Sequence, residues 1–172
     1  YRYGEDEEEE EEYPIQRLWN NIKGVSFIAG LARLAIEFHS FEDHERGGLL
    51  IDNWGGHKTL YQLVDSFPAL YGEEHDQIQI VDNLFLRVLV QLRQMGLLIK
   101  EDIQEHQLTH RLLYNIVFTE DRLRFLIQWD PTSLTHTYLN GWGPLHLAAK
   151  GSTIREFQVV FEYGIRYYPI KK

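Results

Sequence analysis

Apolar residues in this chain recur at steps of three and four in short runs, and turn formers break each run before it grows long. That pattern constrains the fold more than any other feature. After Pro14, which can open a helix, Ile15, Leu18, Trp19, Ile22, Val25, Ile28, Leu31, Leu34 and Phe38 make one such stripe, the signature of a single buried helix face. Gly24 and Gly30 interrupt it, each costing about 1 kcal/mol relative to alanine, so a kink or two shorter helices is expected. Gly47, Gly48, Asn53, Gly55 and Gly56 then mark a loop. Further helices are predicted over 58–67, 80–95, 104–118, 120–129, 144–149 and 154–163. No alternating strand pattern stands out, so the expected fold is all-α, with helix pairs stacked in sequence.

A period supports stacking. Gly96, Asp130 and Gly164 each follow an apolar helical run and stand 34 residues apart, a spacing typical of repeat arrays. A looser echo relates LVDSFPAL (63–70) to LIQWDPTSL (126–134), where an amphipathic run meets proline.

The stretch NGWGPLHLAAKGSTIREFQVVFEYG (140–164) resembles one ankyrin repeat, with its Gly-x-Thr-Pro-Leu-His-x-Ala-Ala signature, second helix and closing glycine. Each piece has a physical reason. Gly141 suits a tight turn, and Pro144 fits a first helical turn, where its missing N–H does no harm. Leu145 is expected in the core, so Leu145→Asp is expected to unfold this unit. Ala148 and Ala149 let neighbouring helices approach, and Thr153 with Glu156 reads as a capping box. Phe157, Val160 and Phe161 form the expected buried face, and Gly164 the helix end. Gly143 departs from the family's threonine, which leaves the ordering of His146 without its usual hydroxyl. The resemblance implies that His146 is structural, not catalytic. LTHRLLYNIVFTEDRLRFLIQWDP (108–131) resembles a degenerate repeat, with His110 placed roughly as His146 is. A single repeat cannot bury its own apolar face, so a neighbour is required. The closing YYPIKK is too short for a polar capping helix, so the array is expected to continue, fray or be covered by a partner.

Composition sets the remaining bounds. Hydrophobic residues make up 44% of the chain, ample for a packed core. The net charge of -9 is concentrated in Glu5, Asp6 and Glu7 to Glu12, which leaves 18 acids against 17 bases elsewhere. The organisation read from this is an acidic disordered tail over 1–13, an N-terminal helical region with a Gly-rich loop over 14–56, and ankyrin-like helical repeats over 57–172. The tail reads as a linker or as a lure for a basic partner. Scattered Lys and Arg disfavour nucleic acid. No signal segment, membrane-length apolar run or Asn-x-Ser/Thr acceptor occurs, so an intracellular, cytoplasmic protein without membrane attachment is expected. The chain starts at Tyr1, and its single methionine is Met95; a segment of a longer protein, or a monomer, is expected.

Candidate chemistry is sparse. With no cysteine, thiolate catalysis and Cys-based zinc sites are excluded. His106 and His110 in HQLTH have the four-residue spacing for one zinc ion on a predicted helix, but Gln107 stands where a zinc protease needs its glutamate base. His39, Glu42, Asp43 and His44 read as a solvated helix end, and NWGGHKTL (53–60) lacks the glycine before lysine that a phosphate loop requires. No catalytic, cofactor or metal residue is assigned. The resemblance places partner contacts on the projecting turn, at Asn140 and Trp142, and Trp54 in the Gly-rich loop is a second tryptophan anchor. The expected function is a non-catalytic protein-binding scaffold. Two alternatives stand beside it: a metal-dependent helical hydrolase using His106 and His110, and a spacer that binds nothing.

Overall fold

The computed structural model describes residues 22–52, 56–65, 75–138, 141–151 and 153–169. Among these, nine α-helices follow one another: α1 (Ile22–Val25), α2 (Ile28–Glu37), α3 (Thr59–Val64), α4 (His75–Gln94), α5 (Lys100–Glu105), α6 (Leu108–Tyr114), α7 (Glu120–Trp129), α8 (Pro144–Lys150) and α9 (Ile154–Tyr167). Short 3₁₀ turns lie at Asp43–Glu45 and Pro131–Leu134. Extended pairing among the described residues is one isolated bridge between Asp52 and Lys58, so the fold is mostly helical. No helix among the described residues is long and apolar enough to cross a membrane.

Three helix pairs pack in a row, α3 with α4, α6 with α7 and α8 with α9. The shorter members touch in order, α3 on α6 and α6 on α8, and so do the longer ones, α4 on α7 and α7 on α9. α5 leans on α6, while α1 and α2 pack against α4. A single apolar core runs through the row, from Val25 and Ile28 through Phe85, Leu89 and Leu123 to Val160 and Tyr163.

The first stripe divides as its glycines imply. Phe27 donates its backbone N–H to the Gly24 carbonyl at 2.9 Å, which closes α1 before α2 begins. Its buried face is Val25, Ile28, Ala29 and Ala32. Leu34 and Phe38, expected on the inner stripe, are exposed, because the break turns α2 so that its small residues meet the core. Gly47 explains the close packing beside it: a Cβ there would lie 2.1 Å from the Ala32 carbonyl oxygen, so only glycine fits.

The helix expected over 104–118 is two helices. Gln107, in the left-handed region at φ 52°, separates α5 from α6. The break lets α5 bury Asp102 against Arg46 while α6 independently buries Leu108, Leu112 and Leu113. α9 likewise runs past Gly164 to Tyr167, because Tyr167 stacks on Tyr163 with ring centroids 5.9 Å apart, and the Tyr168 hydroxyl donates to the Pro131 carbonyl at 3.1 Å. Ile15, Leu18 and Trp19 lie outside the described residues.

At the centre, the fully buried Arg122 of α7 donates from Nε to Asp82 of α4 at 2.6 Å and from Nη1 to the carbonyls of Leu63 and Val64 in α3 at 2.9 and 3.2 Å. Burial pushes the Asp82 carboxyl up more than the neighbouring guanidinium pulls it down. Removing one member of such a pair strands the other in the core, so Arg122→Met is expected to cost about 3 to 5 kcal/mol. The double variant Arg122→Met with Asp82→Leu should recover part of that loss in urea unfolding.

Candidate protein-interaction surface

The C-terminal helix pair is built from local backbone rules. Gly141, at φ 78°, donates its N–H to the Tyr138 carbonyl at 2.8 Å, and Tyr138 donates back to the Trp142 carbonyl at 2.8 Å. α8 then opens at Gly143, whose carbonyl accepts from the N–H groups of His146 and Leu147. Pro144 takes the first helical position and is buried. Gly143 also donates its own N–H to His146 Nδ1 at 3.3 Å, so the imidazole caps the helix start without a threonine.

Two expectations about this pair are corrected. Leu145 is 42% exposed, and Ala149 is exposed too, whereas Leu147 and Ala148 are buried. The reason is rotational: α8 packs between α6 and α9 with Pro144, Leu147 and Ala148 as its buried face, which leaves Leu145 on the opposite side. In α9, Val159, Val160 and Tyr163 are buried, but Phe157 and Phe161 are exposed. They face outward, where among the described residues no helix covers them. The capping of α9 is shared differently from a reciprocal box. The Thr153 hydroxyl accepts from the Glu156 N–H at 3.1 Å, while the Glu156 carboxyl packs inward against Gly151.

Polar pins hold α9 to its neighbours from the inner side. Glu120 of α7 accepts two hydrogen bonds from Arg155, each 2.7 Å, and one from Arg124 at 2.7 Å; these cations, Arg155 foremost, hold its carboxyl below the usual range. The Tyr163 hydroxyl accepts from Gln128 at 2.5 Å and from Arg124 at 3.3 Å.

The outer side is apolar. Phe161 (46% exposed), Ile165 (56%) and Leu145 border a groove of about 330 Å³, completed by Leu134, Thr135, Val160, Gly164 and Tyr168. No charged residue lines it, and Phe157 stacks on Phe161 with ring centroids 5.7 Å apart. The sequence had marked these phenylalanines as core; Ile165 and Tyr168 it had not singled out, although both continue the same three-and-four spacing.

The other predicted residues fall elsewhere. Trp142 is 36% exposed, with the Lys150 ammonium 5.0 Å from its ring centroid, so its indole is partly engaged within the protein. Trp54 and Asn140 lie outside the described residues. His106 and His110 do not share a helix. His106 follows α5, with Nδ1 3.3 Å from the Tyr61 hydroxyl, whereas the buried His110 sits in α6 with Nε2 3.1 Å from the His136 carbonyl oxygen. The left-handed Gln107 between them directs the two imidazoles to different partners. His106 instead has ligand atoms of Asp102 and Glu105 within 4.8 Å, but Asp102 is already paired with Arg46. His39 follows α2, and around Asp43–Glu45 the Glu45 carboxylate accepts from the Glu42 N–H at 2.7 Å, a closed turn. His110 ties α6 to the connection that leads into α8.

Two measurements check this assembly. Leu147→Asp places a charge in the core and is expected to cost more than about 3 kcal/mol, whereas Leu145→Asp should change stability by no more than about 1 kcal/mol; equal effects would overturn the orientation of α8. Glu156 supplies a pH test. Its Oε1 is buried without a partner, and burial pushes the carboxyl up from 4.5 to about 7. Its stabilising contribution is therefore complete below pH 4.5 and is lost as pH rises through 7. The His110 imidazole is shifted down by burial, so its contribution has the opposite sign and is lost as pH falls. Glu156→Gln should raise the melting temperature relative to the parent at pH 8 more than at pH 5, and a pH-independent difference would refute the assignment.

Compared with known proteins, the chain matches no family model, no curated protein and no solved structure.

Proposed function

We propose that the chain is a non-catalytic protein-binding module, a divergent helical array of ankyrin type whose docking surface is the outer face of α8 and α9. Three features support the array: the in-order contacts of short and long helices, the 140–164 stretch, and the buried His110 linking α6 to the next connection. The observation that carries the binding function is the uncharged groove bordered by Leu145, Phe161 and Ile165. Contiguous apolar surface on a folded protein is expensive to leave in water, and it marks docking sites when concave and rimmed by polar groups. The Thr135 and Tyr168 hydroxyl-bearing side chains are the polar groups among the groove's lining residues. Trp142 is not among the residues that line the groove.

The test is capture from a cell lysate at low and high salt with three baits: the parent chain, the chain lacking residues 1–12, and Phe161→Glu. A partner that survives high salt, does not need the acidic run and is lost with Phe161→Glu is the expected result. A partner lost with salt and with residues 1–12 moves the function to the acidic run. Absence of saturable capture favours the spacer reading.

A further inference from the structure

The two carboxylate oxygens of Asp102, whose side chain is only 1% exposed, are treated unequally. Oδ2 accepts from the Arg46 guanidinium and from the Ile99 N–H at 2.7 Å. Oδ1 is buried and has no hydrogen-bond partner among the described residues. A carboxylate oxygen taken from water and given no donor is costly, and a bound cation is one of the few groups that satisfies it.

Two more metal-ligating side chains stand beside it. Glu105 and His106 follow Asp102 by three and four residues, the spacing of neighbours on one helix face, and the His106 N–H donates to the Asp102 carbonyl at 2.9 Å, so that helical spacing holds to the end of α5. One ligand atom from each of Asp102, Glu105 and His106 lies within 4.8 Å of the others. The imidazole is held from a different helix. It packs edge-on to Tyr61 of α3 with ring centroids 5.7 Å apart, and its Nδ1 lies 3.3 Å from the Tyr61 hydroxyl. An imidazole engaged at one nitrogen by an outer partner offers the other to a metal in a set orientation.

We propose that Asp102, Glu105 and His106 form a site for a zinc-type divalent ion, with water as the fourth ligand. One imidazole and two carboxylates suit zinc or cobalt, whereas calcium takes six or more oxygens and magnesium a near-ideal octahedral shell. Closure asks little of the chain. Tetrahedral ligand atoms about 2.1 Å from zinc stand roughly 3.4 Å apart, so no pair need close by more than about 1.4 Å, and the exposed Glu105 can make that movement. Arg46 offsets one of the two carboxylate charges, so one remains for the ion, and micromolar affinity is expected. His110 takes no part, since its Nε2 lies 3.1 Å from the His136 carbonyl oxygen. The ion would clamp the last turn of α5 and satisfy the buried Oδ1.

Calorimetric titration of the chelator-stripped full chain with Zn²⁺, in excess Mg²⁺ to compete for the acidic run, tests the site. One ion per chain should bind with Kd of about 10 μM, and Co²⁺ should give the visible bands of a four-coordinate ion. Glu105→Gln and His106→Gln should each weaken binding at least about tenfold, and Tyr61→Phe, which keeps the ring and loses the hydroxyl, by about tenfold. His44→Gln, an exposed histidine elsewhere, should leave it unchanged. Without zinc, Glu105→Gln should melt as the parent does, which separates lost binding from lost folding. Absence of saturable zinc binding, binding that persists in both Glu105→Gln and His106→Gln, or an equal loss in His44→Gln would each overturn the proposal.

Discussion

The buried guanidinium of Arg122 is the contact on which the helix row depends. α3 is only six residues long, so the carbonyls of its last turn, Leu63 and Val64 among them, lack intrahelical partners, and an isolated helix of that length is unstable in water. Buried carbonyls cannot turn to solvent instead. Arg122 brings donors from the neighbouring pair to Leu63 and Val64, while Asp82 balances its charge from α4. Asn115 adds a donor to Val64 at 3.0 Å, and Arg111 clasps Asp65 just beyond the helix. The short helices therefore exist because adjacent pairs complete them, and for that reason the row behaves as one core.

What the sequence disclosed follows from which signals are local. α7 was placed to the residue because Glu120 and Asp121 favour its start, while Asp130 and Pro131 stop it. The glycine break between α1 and α2 was legible for the same reason. The division at Gln107 was not, since glutamine has no preference for the left-handed region; tertiary contacts of Asp102 on one side and Leu108 on the other impose it. Nor was Arg122, which reads as an ordinary surface charge on an amphipathic helix until Asp82 and the α3 carbonyls are brought to it from some 40 and 60 residues away in sequence.

The apolar outer face of α8 and α9 was visible in the sequence but assigned to the core. Periodicity tells which residues share a face, not which face a neighbour covers. α8 is apolar on two sides, and two residues along a helix is roughly 200° of rotation, so the choice between Leu145 and Leu147 lay with the neighbouring helices α6 and α9. α9 poses the same ambiguity, with Val159, Val160 and Tyr163 on one side and Phe157, Phe161 and Ile165 on the other. A helix apolar on two sides is normally covered on both. Among the described residues of this chain, only one side is.

The inner side of α9 bears on the proposal that the outer side binds. Surface helices at the end of a row fray unless something fixes them, and ordering a binding face at the moment of contact reduces affinity. Here the costs are met within the protein. Arg155 and Glu120 hold the first turn, Tyr163 is bonded by Arg124 and Gln128 in the third, and Tyr168 reaches Pro131 just past the last. The Arg155 and Tyr163 contacts lie away from the groove, and Tyr168 closes the groove's C-terminal end, so Phe157, Phe161 and Ile165 are presented on an anchored helix. Preorganisation of that kind lowers the cost of binding at the proposed surface.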